Sequence, residues 1–261
     1  MERPSAAAAH TEGESNTSAA RARWRSRNDD PATRALVGRD AGVFLHQSLS
    51  SPVLSGIARA EGIWIEDTGG RRYMDFHGNS VHHIGYGHPR LVAAIKAQLD
   101  ELSFAPRRFT CEPAVELAEK LAALAPGNLG KMLFTTGGSD AVEVALKLAR
   151  AATGRFKTVS FWDAFHGAGF GAASVGGEHT FRSHIAGPLL PGAEHVAPFA
   201  CYRCPYNHAG PEVCGLACAG MLEYVLGREG DVAAVIAEPM RAVPYVPPPG
   251  FWQRVREACD R

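Results

Sequence analysis

Residues 134–143 have the sequence Phe134-Thr135-Thr136-Gly137-Gly138-Ser139-Asp140-Ala141-Val142-Glu143. The pattern predicts a strand that ends at two glycines and leads at once into a helix, because apolar residues recur at helical spacing from Ala141 to Leu148. A glycine turn before a helix presents free backbone N–H groups and the positive end of the helix dipole. Gly137 and Gly138 would let an anion approach the backbone closely, and Ser139 adds a hydroxyl. The stretch therefore predicts a phosphate-binding turn.

A second run, Asp163-Ala164-Phe165-His166-Gly167, follows the predicted strand Thr158–Phe161. If that strand belongs to a parallel sheet, the run lies at the carboxyl edge, where ligands bind in such sheets. Phe165 would offer a flat apolar surface to a planar ring there. Glycine turns before helices and aromatic residues after strands also occur where no ligand binds. The two runs alone therefore leave a purely structural role open.

The rest of the chain alternates between predicted strands and helices. Further strands are predicted at Met132–Thr135 and Val232–Ala237, and a hairpin between Ile63 and Phe76 turns at Asp67-Thr68-Gly69-Gly70. Apolar spacing predicts two early helices, marked by Val92, Ile95, Leu99 and Leu102 and by Ala114, Leu117, Ala118, Leu121 and Leu124. The alternation favours an α/β fold with a mostly parallel sheet flanked by helices.

Five motifs stand in the order in which the class III aminotransferases carry them, and from about Phe44 onward the chain resembles that family. They are Gly62–Asp67 with Arg72–Phe76, Gly85-Tyr86-Gly87-His88-Pro89, Thr136–Glu143, Phe165-His166-Gly167 and Ile236-Ala237-Glu238-Pro239. The chain departs from the family at Gly137, where serine or threonine is common, and at Val142, which replaces asparagine. The resemblance implies a fold type I enzyme that uses pyridoxal 5′-phosphate (PLP).

The resemblance also assigns roles to residues. The implied cofactor-binding residues are Gly137, Gly138, Ser139, Phe165, His166 and Glu238. Gly138 and the serine would hold the 5′-phosphate and the phenylalanine would stack on the pyridine ring. The histidine would support the ring site, and the glutamate would anchor the hydrogen bonds beneath it. Four further runs resemble a subgroup that includes the (R)-1-hydroxy-2-aminoethylphosphonate ammonia-lyases: Phe76–His82, Pro106–Thr110, Ser174–Glu178 and Pro188–Gly192.

In this family the lysine that forms the Schiff base and the aspartate at the pyridinium nitrogen lie downstream of the Glu-Pro motif. The resemblance places both beyond Arg261, so no catalytic residue is expected in this chain. Its five lysines match no family position: Lys96, Lys120, Lys131, Lys147 and Lys157. We therefore expect an inactive piece of a longer enzyme, truncated before the end of the large domain.

Three regions are expected: a disordered tail over residues 1–35, the N-terminal segment of a small domain over 36–105, and an incomplete PLP-binding large domain over 106–261. The tail is rich in Ala, Ser, Arg and Glu and shows no periodicity. It lacks the apolar segment of a secretory signal, and no apolar run reaches the roughly 18 residues that span a bilayer. A cytoplasmic location and no contact with a membrane are expected.

The expected substrate is a small amino compound with an anionic group. Arg107, Arg108 and Arg241 are candidates to bind that group because a guanidinium fork matches carboxylate and phosphonate geometry, although each could be an ordinary surface residue. Two reactions remain open, namely elimination of ammonia and transamination to a 2-oxo acid. The resemblance implies a homodimer at full length. The 27 basic and 27 acidic residues cancel, which argues against a nucleic-acid partner.

Four cysteines favour an alternative function that is not enzymatic. Cys201, Cys204, Cys214 and Cys218 have a spacing that could hold zinc or an iron–sulfur cluster, so a non-catalytic metal-binding module is the alternative function. Cys214 and Cys218 also stand at helical spacing beside apolar residues, which favours burial in the core. We expect no metal to bind.

Overall fold

The computed structural model describes residues 18–27, 30–44, 55–78, 81–182, 187–241 and 245–261, without the side chains of residues 21, 25 and 180. The chain divides into two compact units, Met1–Gly130 and Lys131–Arg261. This division lies later than the boundary expected at residue 105. Residues 106–130 lie in the first of these compact units, and the three expected regions stay a prediction.

The first unit combines an antiparallel sheet with helices. Its described elements are α1 (Ala19–Arg27), α2 (Pro31–Val43), β1 (Ile57–Glu61), β2 (Trp64–Asp67), β3 (Arg72–Met74), α3 (Pro89–Glu101) and α4 (Glu112–Leu124). The strands are ordered β1-β2-β3, and Ile65 stands opposite Tyr73 in the β2–β3 hairpin. The hairpin and helices α3 and α4 confirm the predictions for those stretches. No residue of α3 or α4 is buried.

The structure differs from the predicted disorder at residues 19–27 and 31–35, which are helical; residues 1–17 lie outside the described part. Alanine and arginine, both good helix formers, supply most positions of α1. The start of α2 is capped, because the Asp30 carboxylate accepts a hydrogen bond from the Thr33 backbone N–H (2.8 Å) and Pro31 stands in the first turn. Helix propensity in α1 and N-terminal capping in α2 thus favour helices, although the apolar spacing of these residues does not predict them.

Asp67 fixes the turn of the β2–β3 hairpin. The residue is 1% exposed. Its carboxylate accepts hydrogen bonds from the backbone N–H groups of Gly69 and Arg71, from Arg71 Nε and from the Tyr73 hydroxyl, at 2.8 to 3.1 Å. Burial alone would raise the pKa of Asp67, but the hydrogen bonds from Arg71 and Tyr73 outweigh burial and the pKa lies below its usual value.

The second unit is built around a parallel sheet. Its described elements are α5 (Gly138–Thr153), β4 (Lys157–Phe161), α6 (Phe170–Val175), α7 (His179–Arg182), β5 (Ala193–Val196), α8 (Ala217–Glu229), β6 (Val232–Val235) and α9 (Phe251–Asp260). The strands are ordered β5-β4-β6 and all pairs are parallel, as the sequence predicts. The core joins Val159 and Phe161 of β4 to Leu222 of α8 and Phe251 of α9. This core fixes the carboxyl ends of β4 and β6, which carry the candidate site.

The strand predicted at Met132–Thr135 does not form. This stretch has no regular secondary structure, and Leu133 and Phe134 are 63% and 52% exposed. A strand needs a neighbour for its backbone hydrogen bonds, and among the described residues none pairs with this stretch. The predicted strand at Val232–Ala237 does form, but it ends at Val235.

The apolar stripe predicted for α5 is not the face that packs. Leu146 is the buried residue of this helix, whereas Ala141, Ala145 and Leu148 of the predicted stripe are exposed. The packed face contacts α6 and β6. It includes Glu143, whose carboxylate bonds to the backbone of α6. Apolar periodicity cannot predict a packed face that includes a polar residue, and for this reason the prediction for α5 was wrong.

We expect Asp67→Asn to destabilise the first unit by about 2 kcal/mol at pH 7, because the charge-assisted hydrogen bonds from Arg71 and Tyr73 are lost in a buried place. Since the folded pKa lies below the unfolded value, the carboxylate's contribution is complete above about pH 4 and is lost as the pH falls below it. Urea unfolding of both proteins at pH 7 and at low pH measures the difference.

Glu66→Gln is the matched control, because Glu66 lies on the same hairpin and pairs with the exposed Arg59 (2.9 Å). Removing this surface pair should shift the urea midpoint far less than Asp67→Asn does. The charge-based explanation would be wrong if Asp67→Asn lowered the free energy of unfolding by the same amount at pH 7 and at low pH.

Candidate functional site

The glycine turn forms an open cradle at the start of α5. Gly137 precedes the helix with an extended backbone (φ −174°, ψ 175°), and Gly138 is the first helical residue. The first helical hydrogen bond is donated by Ala141 N–H to the Gly137 carbonyl (3.0 Å), so the amides of residues 138–140 have no partner within the helix. A Cβ on Gly137 or Gly138 would meet no atom within 4 Å. The space beside these amides is open to an anion.

The second motif lies directly against this cradle. The Ser139 hydroxyl accepts a hydrogen bond from the Ala168 backbone N–H (3.0 Å), and a Cβ on Gly167 would lie 2.5 Å from Ser139 Oγ. Gly167 has a φ of 127°, a conformation that side-chain-bearing residues rarely adopt. The structure thus brings the glycine turn and the Phe165-His166-Gly167 run together.

Phe165 lies beyond the carboxyl end of β4 and is 43% exposed. Its ring contacts the ring of Phe181, with centroids 4.4 Å apart and planes at 48°. One side of Phe165 is therefore supported by protein while part of the ring remains open. Stacking of this ring on a cofactor stays a prediction.

His166 is a half-buried imidazole beside the same segment. Its Nε2 is buried and has no hydrogen-bond partner among the described residues. Burial lowers the pKa of His166, and the nearby His195 lowers it further. The ring is therefore neutral at pH 7 and keeps one nitrogen for a ligand.

Glu238 follows β6 at the same edge of the sheet. Its Oε2 is buried and has no hydrogen-bond partner in the described part of the chain. Burial raises the pKa of Glu238, while the Arg241 guanidinium and a hydrogen bond from the Phe165 backbone N–H act in the opposite direction. Arg241 Nε stands 3.8 Å from Oε2, beyond hydrogen-bond range. Glu238 therefore lies next to Phe165 with an unused acceptor.

Arg241, a predicted substrate residue, is held by carboxylates of the protein. Its side chain is 11% exposed, and its Nη2 lies 3.0 Å from Glu178 Oε2. The guanidinium also lies over the ring of Tyr245 (5.5 Å), whose hydroxyl donates to the Asp163 carboxylate (3.0 Å). An anionic substrate group would have to compete with Glu178 for this arginine.

Arg107 and Arg108, the other predicted substrate residues, are exposed and belong to the first unit. Arg107 Nη1 donates to the Phe109 carbonyl at 3.5 Å. These two arginines lie in the first unit, whereas the glycine turn lies in the second. Their role in substrate binding stays a prediction.

The four cysteines of the predicted cluster all lie in the second unit. Among the described residues, which include all four cysteines, no group of three or more His, Cys, Asp or Glu side chains could hold a metal ion. Cys218 is buried in the core, where burial raises its pKa to about 11. Burial also raises the pKa of Cys201. Cys218 lies in α8 and is buried, whereas Cys214 precedes α8 and is only partly buried, so the core packing expected for both holds for Cys218 alone. The geometry of the described residues gives the metal-binding alternative no support.

Sequence reasoning missed a cluster at the edge of the sheet. The His195 ring stacks on Trp162 (4.6 Å between centroids, 29° between planes), and the Arg182 guanidinium lies over the same indole (5.1 Å). Arg182 also donates to the Gly176 carbonyl. No motif or spacing links these residues. The parallel pairing of β4 with β5 brings Trp162 and His195 together, and α7 supplies Arg182.

A comparison with protein families extends this picture. Residues 46–261 match the family model of the class-III aminotransferases. The chain belongs to the class-III aminotransferases. This confirms the recognition made from the five motifs, and the α/β unit with its parallel sheet is that of a fold type I enzyme.

Two curated relatives show the range of this family. The chain is 44% identical to the (R)-1-hydroxy-2-aminoethylphosphonate ammonia-lyase of Vibrio splendidus over 96% of this chain and 55% of that protein. It is 37% identical to the adenosylmethionine-8-amino-7-oxononanoate aminotransferase of Geobacter sulfurreducens over 81% of this chain and 49% of that protein. The chain thus spans about half the length of these relatives.

A solved structure agrees with the fold. The PLP-bound amine transaminase from an uncultivated Pseudomonas species superposes with a TM-score of 0.74 at 34% identity, over 84% of this chain and 53% of that one. The family and this structure support the expectation of PLP as the cofactor. Within the described residues, no helix combines the length and apolar character needed to cross a membrane.

We expect Gly138→Val to abolish binding of phosphate-bearing ligands, because a branched side chain would fill the open space beside the amides of α5. Ser139→Ala should weaken binding by about 1 kcal/mol, roughly fivefold, since one net hydrogen bond is lost. Calorimetric titration of the 261-residue protein with PLP and with inorganic phosphate measures both effects.

The control is Gly227→Val on α8, where a Cβ also meets no atom within 4 Å. This variant should bind both ligands like the parent. If Gly138→Val bound phosphate as tightly as Gly227→Val does, the assignment of the turn would be wrong.

Proposed function

We propose that this chain binds PLP at the start of α5 and forms part of an enzyme that acts on a small amino compound with an anionic group. The proposal rests on the convergence, within one unit, of the open glycine turn, the Phe165-His166-Gly167 run and Glu238. His166 Nε2 and Glu238 Oε2 are buried without partners among the described residues. Buried polar atoms without partners are rare in proteins, and a ligand would account for both.

The residues of the site suit the parts of this cofactor. The amides of residues 138–140 and the Ser139 hydroxyl would donate to the phosphate. The open face of Phe165 would cover one side of the ring and keep water away. The neutral His166 would offer Nε2 and Glu238 would offer Oε2 to the polar groups of the ring site. When bound, PLP supplies an electron sink for the substrate carbon that carries the amino group.

For the whole protein we propose release of ammonia from a hydroxylated aminophosphonate, because the ammonia-lyase of Vibrio splendidus is 44% identical over nearly the whole of this chain. Transamination with a 2-oxo acid is the second candidate, favoured by the aminotransferase relatives. Arg107, Arg108 and Arg241 remain the proposed contacts for the anionic group. A cytoplasmic homodimer is proposed for the full-length enzyme.

A chimera in which the second half of the Vibrio splendidus relative follows Arg261 tests the reaction. Ammonia released from (R)-1-hydroxy-2-aminoethylphosphonate without any 2-oxo acid would support the lyase. Strict dependence on a 2-oxo acid would support a transaminase. Replacement of Arg241 by Gln should reduce the rate with the aminophosphonate more than the rate with a neutral amine.

We expect Phe165→Ala in this chimera to lower kcat more than it raises KM, because the ring would orient the cofactor rather than bind substrate. PLP should also dissociate faster from this variant, which dialysis followed by absorbance would measure. Phe165→Tyr keeps the ring and should be tolerated. If Phe165→Ala had the same kcat and KM as the parent, Phe165 would not be part of the cofactor site.

We expect no lysine of the 261-residue chain to become the covalent attachment point for PLP. The Lys157 amine is held by Glu229 (2.7 Å) and Asp231 (2.9 Å), and these hydrogen bonds raise the pKa of Lys157 above its usual range. Borohydride treatment with PLP followed by peptide mapping should give no stoichiometric label at a single lysine, and the chain should show no turnover. Stoichiometric labelling of one lysine, or measurable ammonia release, would contradict this expectation.

A further inference from the structure

Two side chains of α5 hold the segment formed by residues 163–172. Ser139 and Glu143 lie one helical turn apart and therefore share a face of the helix. Ser139 Oγ accepts a hydrogen bond from Ala168 N–H (3.0 Å), and Glu143 Oε1 accepts one from Ala172 N–H (2.9 Å). The carboxylate thus stands at the start of α6, whose backbone N–H groups favour a negative charge.

Glycine at alternate positions from 167 to 171 leaves room for this close approach of the segment to α5. A Cβ on Gly167 would lie 2.5 Å from Ser139 Oγ, and a Cβ on Gly169 would lie 2.5 Å from Glu143 Oε1. A Cβ on Gly171 would collide with the other oxygen of Glu143. Ser139 and Glu143 therefore occupy the space that side chains at these three glycines would need.

We infer that Glu143 is a positioning residue that fixes the 163–172 segment on α5 and thereby couples anion binding at the glycine turn to the position of Phe165. The inference rests on the proposed function. Ser139 provides the link, because its oxygen accepts from Ala168 while its single proton can be donated to an anion in the cradle. Glu143 lies one turn further along α5 and acts through the segment.

Hydrogen exchange of peptides covering residues 163–172 tests the coupling, measured without ligand, with inorganic phosphate and with PLP. Glu143→Ala should increase exchange of the free protein and abolish the protection that ligand adds. It should weaken PLP about tenfold, the scale of one charge-assisted hydrogen bond, and should weaken inorganic phosphate less, because phosphate gains only from the ordered segment and not from Phe165. Glu143→Gln keeps an oxygen acceptor and should restore most of the ligand-added protection and of the PLP affinity.

The control is Lys147→Ala, at an exposed position of the same helix, which should behave like the parent.

The outcomes separate the inference from the proposed function. If the parent binds PLP and Glu143→Ala gains the same protection on binding, the coupling is wrong while the proposed function stands. If Glu143→Ala weakens phosphate and PLP equally but still gains protection, Glu143 is merely structural and the inference fails. If the parent binds neither ligand, the proposed function fails and the coupling fails with it.

Discussion

The contact between α5 and the segment after β4 is the constraint on which the whole site depends. The parallel sheet fixes where β4 ends, and the glycine turn fixes where α5 begins. Gly167 must be glycine for the segment to lie against the Ser139 backbone, and Gly169 and Gly171 leave room for the Glu143 carboxylate in its present position. The same contact places Gly167 and Ala168 against Ser139, so the run that carries Phe165 and His166 is joined to the first turn of α5.

Electrostatics then divide the site into two parts. At the cradle, free amides and the helix dipole favour negative charge, although the Asp140 carboxylate, bonded by the Thr136 hydroxyl, stands in the same first turn. At the sheet edge, burial favours the neutral forms of His166 and Glu238. A phosphate would therefore meet N–H donors at one end of the site, and a polar ring would meet the buried atoms His166 Nε2 and Glu238 Oε2 at the other.

The sequence predicts the local elements well and the long-range ones less well. The β2–β3 hairpin was predictable because its turn is encoded by Asp67 and two glycines within a few residues. The stretch at residues 132–135 has the composition of a strand, but pairing depends on a neighbour that sequence periodicity cannot supply. The face of α5 was misjudged because Glu143 makes a polar contact on the packed side. The motif residues of the candidate site come from family resemblance and stay predictions, whereas the Trp162 cluster depends on strand register and carries no sequence signal.

Arg241 shows why a residue type alone does not define a substrate contact. Its guanidinium is nearly buried between Glu178 and Glu238 and lies over Tyr245, so its charge is already balanced by the protein. Recognition of an anion by this arginine would require Glu178 to leave, and the released carboxylate would then repel the same anion unless it turned to solvent. Because Glu178 is 37% exposed and Arg241 only 11%, the glutamate is the partner with room to move. An anionic substrate at this edge of the sheet would thus bind by displacing the Glu178 carboxylate from an arginine that stays in place.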